Sequence, residues 1–301
     1  MQGEETKMEI LLDALLDTVK LLPFLFVVYS VIGYFERHTD NKLYHKLKQA
    51  TWSGPILGAL IGCVPQCGFS VIGANLYSKK MISIGTLMAI FVSTSDEAIP
   101  ILLAHPQMFG TVFFVLALKV GIAIVFGVGI EGISCLLKSR KVALENGITI
   151  SDESLFEEVG QCNCGHAHER THEKEWIKGA VQHTLRTLLY IFIVNLCLNM
   201  LIEGAGEGVL ESLLLTNNRY QPALAALIGL IPNCAASIIL TEMFVEGSLS
   251  LGSLIAGLCT GAGVGLVMLF KANKNIMDNL KILGILYLIG TVCGIVIQYL
   301  R

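Results

Sequence analysis

The chain has 301 residues, of which 53% are apolar and only 15% charged, and its net charge is −3. That composition excludes an ordinary soluble domain, and the slightly negative balance speaks against a nucleic-acid partner. The nine cysteines are scattered, mostly inside apolar runs, and form no extracellular disulfide framework.

The opening residues, MQGEETKMEI, are acidic and lead into a first apolar run at 10–35, which argues against a cleavable signal peptide. The loop at 36–50 carries Arg37, Lys42, Lys46 and Lys48, so it is expected on the cytoplasmic side. Residues 54–78 are apolar but broken in the middle by Cys63-Val64-Pro65-Gln66-Cys67. Proline removes a donor and frees the carbonyl one turn back, leaving arms of about ten residues, too short to cross a bilayer separately. A helix–break–helix hairpin that enters and leaves on one side fits best. The plainer alternative is a spanning helix kinked at its proline.

The span at 82–103 contains Ser93-Thr94-Ser95-Asp96-Glu97, with Pro100 just beyond. Adjacent carboxylates at membrane depth are costly and by default mark an ion or proton path; a position at the outer headgroup level is the bland reading. After the loop 104–110, the span at 110–137 holds Lys119 about 13 Å from its start, at 1.5 Å per residue. Lys119 is placed to form an ion pair with Asp96 or Glu97, or to compete with a cation for them. Residues 138–178 are charged, lack a hydrophobic period and read as a cytoplasmic linker with little fold of its own. Within them Cys162, Cys164, His166, His168 and His172 are borderline-soft ligands. Their alternating spacing matches no closed structural zinc pattern, so metal capture and a plain solvated loop both stay open.

The second half begins with the span at 184–202, where Asn195 and Asn199 share a helix face. They either line a cavity or hydrogen-bond between helices. The loop 203–217 has neither Lys nor Arg and is expected outside. A second broken run, 221–245, is centred on Leu230-Ile231-Pro232-Asn233-Cys234. The span at 249–270 contains Thr260-Gly261-Ala262-Gly263-Val264, the basic stretch KANKNIM occupies 271–277, and a final span covers 281–300.

Residues 55–89 and 222–256 align without a gap at an offset of 167, setting Pro55 on Pro222, Gly62 on Gly229, Pro65 on Pro232 and Cys67 on Cys234. Outward, Gly127 falls on Gly294, and Ser93–Glu97 falls on Thr260–Val264. The break is kept there while the acids are not. Equivalent loops differ in basic charge, the mark of an inverted repeat. The expected fold is therefore an all-α polytopic membrane protein of two inverted-topology repeats. Each has three spanning helices and a broken-helix re-entrant hairpin, about ten helical segments in all. The repeats occupy 8–137 and 179–301, separated by the loop 138–178. The two tips are expected to meet near the midplane, because non-helical backbone at membrane depth must line a cavity or be buried in protein.

With VPQCGFSVIGANLY, STSDEAIPIL and IPNCAASI together, the chain resembles the family of ten-helix heavy-metal exporters, whose members are labelled manganese transporters or arsenic efflux permeases. The resemblance runs from about residue 10 to 300. It implies metal export and directs attention to Cys67, Asp96, Glu97, Asn233 and Cys234.

The resulting expectation is a secondary transporter in the cell membrane, with no catalytic role and no cofactor, exporting a divalent or heavy metal by alternating access. Carboxylate and amide ligands favour Mn2+, while thiols suit Zn2+ or arsenite. The expected ligands are Cys63, Gln66, Cys67, Ser93, Ser95, Asp96, Glu97, Asn233, Cys234 and Thr260. The expected partners are the metal ion and the lipid bilayer; homo-oligomerisation stays open. There is no GxxxxGK[ST] nucleotide motif, so an ion gradient or the membrane potential must drive transport. The rival is a membrane thiol–disulfide electron carrier using Cys67 and Cys234, in which Asp96 and Glu97 have no role.

Overall fold

A computed structural model describes residues 22, 26, 53–64, 66, 68–94, 98–145, 181, 184–186, 188–194, 196–197 and 220–300. Every element among them is helical. In chain order they are α1 (Ser53–Gly62), α2 (Gly68–Ser78), α3 (Ile84–Ser93), α4 (Ala98–Ala104) and, after a 3-10 turn at Pro106–Met108, α5 (Phe109–Glu145). The second half supplies α6 (Gln221–Gly229), α7 (Cys234–Val245), α8 (Leu251–Thr260), α9 (Val264–Ala272) and α10 (Ile276–Leu300). Four stretches are long and apolar enough to cross a bilayer: Ile84–Ala104, Phe109–Leu136, Leu251–Ala272 and Ile276–Leu300. The protein is a polytopic membrane protein.

Burial sorts these four into inner and outer spans. The broken pairs α3–α4 and α8–α9 are 67% and 78% buried, against 22% and 33% for α5 and α10. The two outer spans instead present large apolar side chains such as Phe113, Val125, Leu288 and Val292, as helices facing lipid do. α5 also runs past the predicted loop boundary at residue 138, to Glu145. Nothing in KSRKVALE breaks a helix; its residues are mostly good helix formers, and the first glycine is Gly147. At 37 residues the helix is about 55 Å long, well over the ~30 Å of hydrocarbon.

The two halves use the same devices at matching positions. Ser83 and Ser250 cap α3 and α8, each hydroxyl accepting from the N–H three residues on, Thr86 and Ser253, at 3.2 Å. In the tips, the N–H of Gln66 donates to Val64 O and that of Asn233 to Ile231 O, both at 2.7 Å, the three-residue turn that reverses a chain tightly.

Glycine contacts repeat the pattern. A Cβ on Gly62 would lie 2.7 Å from Ile90 O, and one on Gly229 2.1 Å from Gly257 O. A Cβ on Gly85 would lie 2.5 Å from Gly127 O, and one on Gly252 2.4 Å from Gly294 O. Small residues let apolar helices approach to backbone contact where no hydrophobic drive pulls them together.

These contacts set direction as well as distance. Gln221, at the start of α6, donates to Ser248 O (3.3 Å) and accepts from Ser253 Oγ (3.0 Å) at the start of α8. Thr260, at the end of α8, donates to Ala226 O (2.8 Å) near the end of α6. α6 and α8 therefore run parallel from a common level, and the two ends of the α6–α7 hairpin lie side by side. In the first half Gly54 abuts Thr86 and Gly62 abuts Ser93, which gives α1 and α3 the same relation. A tip and a break thus end at one depth in each half, about ten residues or ~15 Å from the level where their helices start.

The second arms cross between the halves. α2 packs on α9, with Gly265 against Ser70, and α7 packs on α4. The Tyr77 hydroxyl at the end of α2 donates to Asp278 Oδ2 (2.8 Å), beside the turn that follows α9. The turn carrying Lys79 and Lys80 and the basic stretch 271–277 are thereby held at the same face.

Candidate functional site

The parallel pairs bring the second hairpin tip and both helix breaks to one place. A small cleft of about 20 Å3 is lined by Thr94 from the first break, Gly261 and Gly263 from the second, Asn233, Cys234 and Ser237 from the second hairpin, and Gly229, Ala236, Gly257 and Leu258 between them.

Each break has a local cause. At the end of α3, the hydroxyls of Ser93 (3.1 Å) and Thr94 (2.7 Å) and the Thr94 N–H (3.1 Å) all converge on Ile90 O, and Thr94 leaves the helix at φ −59°, ψ 130°. Side-chain bonds of this kind offer the backbone an alternative to continuing the helix. At the end of α8, Gly261 leaves the helix and Gly263 turns through φ 50°, a left-handed backbone that favours glycine.

The polar groups at the cleft divide by what already occupies them. Asn233 is buried, caps α7 by accepting from Ala235 N–H (3.5 Å), and lines the cleft. Cys234 is the first residue of α7, half-buried, and takes part in no disulfide. Ser237, one turn on, donates to Cys234 O (2.8 Å). It was not among the expected ligands; the alignment of Ser70 with Ser237 three residues past each Pro-x-Cys was its only trace in the sequence. The Thr260 hydroxyl is engaged by three carbonyls, of Ala226, Ala256 and Gly257. The Leu230 N–H bonds to Leu227 O rather than to Ala226 O, so Thr260 supplies the side-chain donor to that carbonyl.

Thr260→Val is accordingly expected to cost about 1–3 kcal/mol of stability, the penalty for unpairing a buried carbonyl. Reversible unfolding in detergent would measure it. An unchanged transition would show the bond to be dispensable.

Lys119 is fully buried in α5. Its Nζ donates to Leu258 O at 2.8 Å and also to Thr94 O. Those are carbonyls at the C-terminal ends of α8 and α3, where the helix dipole concentrates negative partial charge. In the usual helical pattern Leu258 O would accept from Ala262, but that N–H donates to Thr260 O (2.8 Å).

Of the other expected site residues, Ser93 is buried against Gly62, and Cys63 and Gln66 are half-buried at the first tip, outside the set lining this cleft. Cys67, Ser95, Asp96 and Glu97 lie outside the described residues, as do Asn195, Asn199 and the loop ligands Cys162, Cys164, His166, His168 and His172. Among the described residues no group of three or more His, Cys, Asp or Glu side chains could hold a metal ion.

A family profile described as "Putative, 10TM heavy-metal exporter" matches residues 2–204 and 187–301. No curated protein and no solved structure matches the chain.

Proposed function

We propose, from the premise that this chain belongs to the family of ten-helix heavy-metal exporters, that it exports a divalent or heavy metal ion by alternating access between its two halves. The observation that carries this reading is the meeting of the second Pro-x-Cys tip with both helix breaks in one cleft. Discontinuous helices that meet at mid-depth between repeats are how secondary transporters build their ion sites.

The halves are read as an inverted pair. Two features support that: the second hairpin arms cross reciprocally between halves, and the Tyr77–Asp278 bond holds two basic turns at one face. That face is the cytoplasmic one, because basic residues collect there, and the loop 138–178 would lie on the same side.

Cys234 and Asn233 would ligate from the second tip, Cys67 from the first, and Ser95, Asp96 and Glu97 from the first break, whereas Cys63, Gln66, Ser93 and Thr260 do not line the cleft. The thiols favour Zn2+ or arsenite and the carboxylates favour Mn2+. Cys162, Cys164, His166, His168 and His172 would concentrate metal at the entrance.

The test is growth of cells whose metal tolerance depends on this chain. Asp96→Asn is expected to abolish tolerance to whichever of Mn2+, Zn2+ and arsenite the native chain protects against, with Cys67 and Cys234 staying reduced. A Cys67–Cys234 disulfide that cycles with cellular reductant, together with indifference to Asp96→Asn, would replace export by thiol–disulfide electron transfer.

A further inference from the structure

We infer that Lys119 is a built-in stand-in for the transported cation: its ammonium holds the break carbonyls in the empty carrier, and a divalent ion must displace it to bind. This rests on the export reading above and extends it to how the site is emptied.

The position makes the charge expensive. Lys119 is ten residues from the start of α5 and fully buried, which at 1.5 Å per residue is ~15 Å deep, the middle of a ~30 Å hydrocarbon layer. A charge held there is by default functional. Lys119 donates to the carbonyls of Thr94 and Leu258, one from each half, and both residues line the cleft. An ion in the cleft that sought those carbonyl oxygens would meet the ammonium already on them. Two like charges cannot share the oxygens without strong repulsion at low dielectric. The thiols of Cys63 and Cys259 lie within electrostatic reach of Lys119, and Asp96 and Glu97 lie outside the described residues.

The arrangement is one-sided. The repeat-equivalent of Lys119 is Leu286, also fully buried, so the second half carries no such charge at this place. A general need to fill the space between α5 and α3 does not explain a lysine where the same packing in the other half takes a leucine.

Displacement has a kinetic signature that a structural ammonium lacks. While the lysine competes, it weakens ion binding; when it returns, it expels the ion on the far side. Lys119→Met keeps an unbranched apolar stem one atom shorter and removes the competitor. In proteoliposomes loaded with Mn2+, and in a parallel series with Zn2+, this variant is expected to lower the half-saturating concentration about tenfold, equivalent to ~1.4 kcal/mol. Its maximal rate should fall by a comparable factor, because release slows. Lys119→Arg, which keeps the charge, should stay within a few-fold of the native protein in both.

Binding is read independently as the shift in thermal unfolding that Mn2+ or Zn2+ produces in detergent, expected at lower ion concentration in Lys119→Met. A higher half-saturating concentration, or no change in either constant, overturns the inference and leaves export standing. Movement of arsenite alone also overturns it, since a neutral species has no charge for the lysine to replace. Tighter ion binding in Lys119→Met without flux in the native protein upholds the lysine's competition and overturns export.

Discussion

Gly294→Ala is expected to destabilise the protein by about 3 kcal/mol, and Gly127→Ala by about 2 kcal/mol, the range for overpacking an interior that cannot yield. The added Cβ at 294 would lie 2.5 Å from Ala256 Cβ and 2.6 Å from Gly252 O; at 127 it would lie 2.9 Å from Ala89 Cβ and 3.0 Å from Gly85 O and Pro55 Cβ. All of these are backbone or Cβ atoms, which no rotamer change can move. The helices must part instead, and with them the break that each inner span delivers to the cleft.

The matched controls are Gly129→Ala and Gly284→Ala. They lie on the same two outer spans, where an added Cβ meets nothing within 4 Å. Those changes should be neutral or stabilising by up to ~1 kcal/mol, from helix propensity alone. Thermal unfolding in detergent separates the pairs. Equal losses at Gly127 and Gly129, two residues apart, would contradict the close crossing of α3 and α5.

Replacing Cys234 should have the largest effect on transport with little effect on folding. The thiol begins α7, lines the cleft and is half-buried, and alanine is well tolerated in a first helical turn. Cys234→Ala is expected to cut metal export at least tenfold, the loss of one ligand bond worth ~1.4 kcal/mol or more. Cys234→Ser should be intermediate for Mn2+ and as severe as alanine for Zn2+ or arsenite, because a hydroxyl is a hard ligand.

Protection supplies a second readout: the transported ion should slow maleimide labelling of Cys234. The exposed thiols Cys135 and Cys197 serve as controls whose alanine variants should export normally. Full export by Cys234→Ala would remove the tip from the ion's path.

Much of the architecture was legible because it rests on local and periodic properties. Apolar length marked the four spans, and Pro65, Pro232, Gly261 and Gly263 marked where helices stop. The offset of 167 paired Gly62 with Gly229 and Gly127 with Gly294, although the alignment did not reveal that each is a point of backbone contact. The extension of α5 to Glu145 was not anticipated. Charge and lack of an apolar period read as loop, yet a helix that leaves the bilayer needs no apolar face to continue.

The ligands were harder to sort. Asn233 and Thr260 are both small polar residues beside a break, so the sequence treats them alike. In the fold the Thr260 hydroxyl is engaged by three carbonyls, while Asn233 and Cys234 line the cleft. Ser237 reaches the same cleft from one helical turn away.

By itself the sequence determined a polytopic helical membrane protein, its repeat and the residues at which its helices break, since each follows from composition, period and proline or glycine chemistry. Only the tertiary structure decided that the second tip and both breaks share one cleft, and that Lys119 rests on carbonyls 25 and 139 residues away. Every residue carries a carbonyl, so no pattern of side chains can show which ones a helix end has left unpaired or which buried charge will find them.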